Sequence, residues 1–152
     1  MDPSGPWDRD RVDEFLAAAR IPVRIGCRTP KGAPWIVSLW FSWDGAVHCA
    51  TSASADLVDF LAHDDHVSFE VSTNDPPYKG VRGRGRATVS VDEEKAVLRS
   101  LLDRYLGGVD NELGEQLLRP GREEVHIRIE PERLHTWDYS SRMPSPSPSK
   151  QG

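Results

Sequence analysis

The chain has 152 residues, 38% hydrophobic and 28% charged, and its 19 Lys and Arg against 24 Asp and Glu leave a net charge of −5. That length suits one domain with a genuine core, since a chain of about 150 residues buries roughly 70% of its unfolded surface, and the composition is too apolar for a wholly disordered chain. The acidic balance argues against binding a nucleic-acid backbone, which calls for excess Lys and Arg, and no run approaches the roughly 20 apolar residues of a membrane span.

The start, Met1-Asp2-Pro3-Ser4-Gly5-Pro6, lacks the basic and apolar stretches of a secretion signal, which predicts an intracellular, cytoplasmic protein. Val12, Phe15, Leu16 and Ala19 recur at helical spacing, so a first helix is expected over 8–19 with Asp8 as its cap. Strands are expected over 23–27, 35–43 and 46–51, the last two joined by the hairpin signal Asp44-Gly45, which together read as a three-stranded antiparallel meander. A short helix over 54–63 is expected, capped by Ser54, then a strand over 66–72 with alternating Val67, Phe69 and Val71. A long strand over 80–91 leads into a helix over 92–106 that Gly107-Gly108 stops, and a weaker helix covers 111–118. Val125, Ile127 and Ile129 mark another strand and Leu134–Trp137 a last one. The stretch 1–142 is expected to form a single domain, and 143–152, with Pro144, Pro146 and Pro148 among serines, a disordered tail. Six or seven strands joined by tight turns, with a few short helices, predict a mainly β protein whose antiparallel sheet curls into a small barrel.

Four features bear on chemistry. His63-Asp64-Asp65-His66 has metal-ligand residue types, but it falls at a helix-to-strand turn without further Cys or His at a standard spacing, so a solvated turn and no metal are expected. Cys27 and Cys49 lie in strand-like runs and read as buried free thiols. In Lys79-Gly80-Val81-Arg82-Gly83-Arg84-Gly85-Arg86 a strand places three arginines on one face and glycines on the other. Like charges so placed repel, and they call for acidic neighbours, a phosphate or a nucleic acid; the bare glycine side lets a flat ring or another backbone approach. Five tryptophans fill a core and a subunit interface, or wall a flat heterocycle.

The order of these pieces carries a resemblance. Lys31-Gly32-Ala33-Pro34-Trp35-Ile36-Val37-Ser38-Leu39-Trp40-Phe41, Trp43-Asp44-Gly45, Ala50-Thr51-Ser52-Ala53-Ser54, His66-Val67-Ser68-Phe69 and Val81-Arg82-Gly83-Arg84-Gly85-Arg86-Ala87 follow one another as in the pyridoxamine 5′-phosphate oxidase-like flavin-binding split-barrel family. The resemblance spans about Val12 to Tyr139. It implies a six-stranded split β-barrel and a homodimer with FMN at the dimer interface; some relatives hold a deazaflavin or haem instead. By matched position, the backbone around Val37, Ser38, Leu39 and Trp40 faces the flavin ring, and Thr51, Ser52 and Ser54 approach the ribityl chain and phosphate. Lys79 and Gly80 match cofactor-contacting positions, and Arg82 and Arg84 are candidate phosphate ligands.

Two departures shape the functional expectation. Asp56 and Leu57 stand where many relatives carry an Arg-Lys phosphate anchor, so Lys79, Arg82 or Arg84 replaces the lost charge, or the cofactor differs or is missing. Arg133-Leu134-His135-Thr136-Trp137 shares letters but not context with the substrate-binding end of true pyridoxamine phosphate oxidases, so that activity is not implied. The leading expectation is an FMN-dependent oxidoreductase acting on a small molecule, with no catalytic residue named. The alternatives are a non-enzymatic flavin, deazaflavin or haem carrier or sensor, a cofactor-less dimeric binding module, and nucleic-acid binding through Arg82–Arg86.

Overall fold

The structure, a computed structural model, describes residues 2–143; the expected tail, apart from Met143, lies outside the described residues. Helix α1 (Arg9–Ala18) begins where Asp8 accepts a hydrogen bond from the Arg11 amide, and it turns Val12 and Leu16 into the core. The strands are β1 (Val23–Arg28), β2 (Pro34–Leu39), β3 (Ser42–Trp43), β4 (Val47–Ser52), β5 (His66–Ser72), β6 (Lys79–Val91) and β7 (Glu124–Asp138). Helices α2 (Asp56–His63), α3 (Ala96–Leu106) and α4 (Glu112–Leu117) complete the chain, so the molecule is mainly β with short helices.

All seven strands form one antiparallel sheet in the order β2-β1-β5-β6-β7-β4-β3. The seventh strand, one more than the six that the resemblance implies, is the two-residue β3. β2 and β4 stand at opposite sides of that order yet touch, so the sheet curls toward closure. Its inner face carries Val23, Ile25, Val47, Cys49, Val67, Phe69, Val71, Val81, Ile127 and Ile129, all buried, each worth about 1.5–3 kcal/mol where a large apolar side chain leaves water.

The expected meander is corrected. β1 and β2 pair, and Asp44-Gly45 does turn β3 into β4, with Gly45 at a φ of 105°. The run 35–43 breaks at Trp40 and Phe41, however, and the β3–β4 hairpin pairs with β7 on the far side of the sheet. Tyr105 of α3 explains the break: its hydroxyl accepts a hydrogen bond from the Phe41 amide and donates to the Ile21 carbonyl, while the Phe41 ring is fully buried. The chain there crosses from one sheet edge to the other instead of returning beside itself.

Three further boundaries differ. β7 is one strand where two were expected, because an extra residue, Glu132, is accommodated as a bulge between the pairs Gly85–Pro131 and Arg84–Arg133. α2 starts at Asp56 rather than Ser54, whose hydroxyl is bonded to that of Ser52. α3 starts at Ala96, after a 3-10 turn in which Glu94 and Lys95 are left-handed; buried Asp92 still caps it by accepting from the Val97 and Leu98 amides. The N-terminal segment runs along the second half of β7, where β4 has ended: the Ser4 amide donates to Leu134 and the Thr136 amide to Ser4.

Candidate functional site

On β6 the even positions Arg82, Arg84 and Arg86 lie exposed on the outer face, while Val81, Gly85 and Ala87 are buried beneath. The glycines between them serve the fold. A Cβ at Gly83 would meet the Phe69 ring at 2.5 Å and the Arg133 carbonyl oxygen at 2.7 Å, and one at Gly85 would run into the Glu130 carbonyl. The close approach they permit is therefore taken up by the protein's own Phe69 and by the backbone of β7, not by an external flat ring.

Strand register carries polar residues across the outer face in rows. Ser38, Arg24, Glu70, Arg82 and His135 stand opposite one another on β2, β1, β5, β6 and β7. Ile36, Gly26, Ser68, Arg84 and Arg133 form the next row. Two open cavities lie over these rows. One of about 560 Å³ is lined by Ser4, Ser68, Arg82, Arg84, Arg133 and His135 among others. The other, about 870 Å³, includes Trp35, Ile36, Arg28, His66 and Arg84. They share Ser68, Arg84 and Glu132, so together they make one groove, with Arg82 and Arg133 beside Asp2 at one end and Trp35 and Ile36 beside Arg28 and Asp64 at the other. Trp35 and Ile36 are 44% and 71% exposed there, a large apolar surface to leave open.

The charges on this sheet face and at its rim are only partly matched. Arg86 pairs with Asp65 at 3.1 Å, and His66 Nδ1 lies 2.8 Å from Asp64. Bonds from the His66 backbone amide and then from its ring hold the Asp64 carboxyl below the ordinary range. Asp64, Asp65 and His66 lie close enough together to offer ligand atoms to one metal ion, and Arg86 pairs with Asp65 beside them. Arg82 stacks over the Trp137 ring at 4.5 Å, and among the described residues neither it, Arg84 nor Arg133 forms an ion pair. Arg24 Nη1 is buried without a hydrogen-bond partner, while its Nη2 donates to Asn74 at 3.4 Å. An anion on this face would answer guanidinium groups that the protein leaves unanswered.

The expected site residues divide. Arg82 and Arg84 line the groove and Ser38 shares their sheet face. Val37 and Leu39 pack against the core, and Trp40 stacks on Tyr105 with ring centres 5.0 Å apart. Lys79 has the opposite parity on β6, pairs in register with Asp138, and lines a separate cavity beside Pro76 and Pro77; Gly80 is buried against Ser72. Thr51, Ser52 and Ser54 lie where β4 runs toward α2, outside the groove's lining. That helix opens with Asp56 exposed, Leu57 buried and Asp59 in its first turn, so two carboxylates stand at the end whose amides would otherwise favour a phosphate. The residues present there do not fit an anion; those of the groove do.

Ser68, Arg133 and His135 joined the groove, and Arg24 the neighbouring row, only through register. Alternation along a strand finds Arg24 and Ser68, but the bulge at Glu132 shifts the phase of β7 and hides the other two. Both cysteines are buried free thiols, and burial pushes the Cys49 thiol well above its usual range. Of the five tryptophans only Trp35 lines the groove; Trp7, Trp40, Trp43 and Trp137 are engaged with other side chains.

No family model and no curated protein matches the sequence. Among solved structures, the chain is similar to the conserved hypothetical protein Rv2991 from Mycobacterium tuberculosis, with 22% identity over 88% of this chain and 86% of that one, at a TM-score of 0.73. It is similar to an F420 reductase at 23% identity, covering 80% and 94%, with a TM-score of 0.67. It also matches HutZ, the haem storage protein from Vibrio cholerae, at 15% identity, covering 83% and 92%, with a TM-score of 0.63. The fold is thus the split barrel of pyridoxamine 5′-phosphate oxidase-like proteins, as the sequence resemblance implies.

Proposed function

We propose that the chain binds a planar redox cofactor with an anionic end, FMN before deazaflavin or haem, in the outer-face groove, and serves as an oxidoreductase for a small molecule. One observation carries the reading: Arg82 and Arg84, without a carboxylate partner among the described residues, line a groove that continues onto exposed Trp35 and Ile36. Arg82 and Arg84 would hold the anionic end, and Trp35 and Ile36 would offer the apolar surface a ring system requires. A bound flavin would supply electron transfer at its ring; the chain's task is to bind it, orient it and keep water away. That division of labour needs no protein acid–base pair. A second copy over the groove would cover the same apolar surface, which favours a homodimer with the cofactor between its subunits.

A second reading has its own support. Asp56 and Asp59 occupy the α2 end where a phosphate would otherwise find amides, which favours a ligand other than FMN or a binding role without turnover. Absorbance of the purified protein, followed by separate titrations with FMN, deazaflavin F420 and haem, distinguishes these. Flavin absorbance that reduced nicotinamide cofactor bleaches and small-molecule acceptors restore supports the oxidoreductase. Saturable binding without turnover supports the carrier, and no binding of any of the three overturns both.

A further inference from the structure

The N-terminal segment 2–6 reaches the arginine end of the groove from a fixed seat. Trp7, 7% exposed, anchors it in the core and donates from Nε1 to Asp138 at 3.1 Å. Ser4 exchanges backbone bonds with Leu134 and Thr136 of β7, and the Thr136 hydroxyl joins the two anchors by accepting from the Trp7 amide and donating to the Ser4 carbonyl. Between them Gly5, at a φ of 89°, lies so close on β7 that a Cβ there would meet the Thr136 carbonyl oxygen at 2.0 Å. From this seat Asp2 and Ser4 join Arg82, Arg84, Arg133 and His135 in lining the cavity of about 560 Å³.

We infer that this segment is a wall of the groove that sets its preference among anionic ligands, Ser4 favouring a phosphate through His135 and Asp2 opposing it. The inference rests on the groove as the cofactor site. The Ser4 hydroxyl lies 2.8 Å from His135 Nδ1 and 3.4 Å from the Leu134 carbonyl oxygen. A neutral imidazole carries a single N–H. When the hydroxyl donates to Nδ1, that N–H stands on Nε2, the ring nitrogen left for a ligand; when Nδ1 donates to the hydroxyl, Nε2 offers only a lone pair. An anion in the cavity selects the first arrangement. His135 is in register with Arg82, whose guanidinium stacks on Trp137, so the added N–H comes beside a cation already held in place. Ser4 is thus a positioning residue, acting on the ligand through the ring. Asp2 brings a carboxylate to the same cavity, and like charge repels a phosphate there.

The test is calorimetry with FMN and with riboflavin, which lacks the phosphate, on wild type, Ser4→Ala, His135→Ala, their double variant and Asp2→Asn. Ser4→Ala and His135→Ala each lower FMN affinity roughly three- to tenfold, the worth of one ordinary hydrogen bond, and leave riboflavin unchanged. The double variant is no weaker than His135→Ala, because the hydroxyl acts only through the ring. Asp2→Asn raises FMN affinity about two- to fivefold, as for an exposed charge, again without moving riboflavin. A segment that only braces the fold gives another pattern: both flavins weaken together in Ser4→Ala, and Asp2→Asn changes neither. That pattern, or losses from Ser4→Ala and His135→Ala that add, overturns the inference. Should Ser4→Ala loosen the segment from β7, amide exchange at Thr136 reveals it, and His135→Ala with Asp2→Asn still decide. Failure of the groove reads differently. A preference for FMN that survives the Arg82→Ala, Arg84→Ala double variant, or wild type that binds neither flavin or both equally, removes the groove and the wall together. An arginine-dependent preference that ignores Ser4, His135 and Asp2 leaves the groove standing and removes the wall alone.

Discussion

Gly83 and Arg82 are neighbours on β6 with opposite tasks. The first is small because Phe69 and the Arg133 carbonyl press on its inner side, and the second is charged because it faces the groove. A methyl at position 83 must displace backbone, not just a flexible tip. Gly83→Ala is therefore expected to destabilise the protein by about 1–3 kcal/mol, the usual cost of overpacking, as a lower urea midpoint with unchanged slope. The alternating stripe Arg82, Arg84, Arg86 was legible in the sequence because a strand repeats every two residues, whereas the pairing of Arg86 with Asp65 of the turn before β5 emerged only from the fold. The role of the glycines was not, since nothing local says that Phe69 of a different strand will lie against Gly83.

Elements with local signals were readable and those set by distant contacts were not. Asp8 and Asn111 cap their helices, Gly107 ends α3, and Asp44-Gly45 turns a hairpin, all from the chemistry of a few adjacent residues. The crossing at Trp40 and Phe41 depends on Tyr105, far along the chain, so a run of good strand formers gave no warning of it. Tyr105→Phe leaves the Phe41 amide without its acceptor and is expected to cost about 1–3 kcal/mol, the penalty for orphaning a buried polar group. Amide exchange near Phe41 should rise in that variant while exchange in β5 stays as in wild type; a uniform rise across the sheet would show that Tyr105 supports the whole core instead. The long β7 belongs to the same lesson. Pro131 reads as a strand breaker, yet the bulge at Glu132 admits it and carries Arg133 and His135 onto the groove.

At the scale of the molecule, the curled sheet buries one face on its own core and leaves the other as a groove with unmatched cations beside apolar side chains. A single copy leaves Trp35 and Ile36 in water, so a homodimer is expected by sedimentation, and Ile36→Glu should shift it toward monomer by placing a charge in the covered surface. The groove's charge is the part of this picture on which cofactor binding rests, and its direct measurement is a calorimetric comparison of FMN with riboflavin, which lacks the phosphate. If Arg82 and Arg84 hold the anionic end, wild type prefers FMN by roughly 1–3 kcal/mol per lost charge-assisted contact, and the Arg82→Ala, Arg84→Ala double variant loses that preference while still binding riboflavin. Equal affinity for both ligands in wild type, or a preference for FMN that survives loss of both arginines, would contradict it.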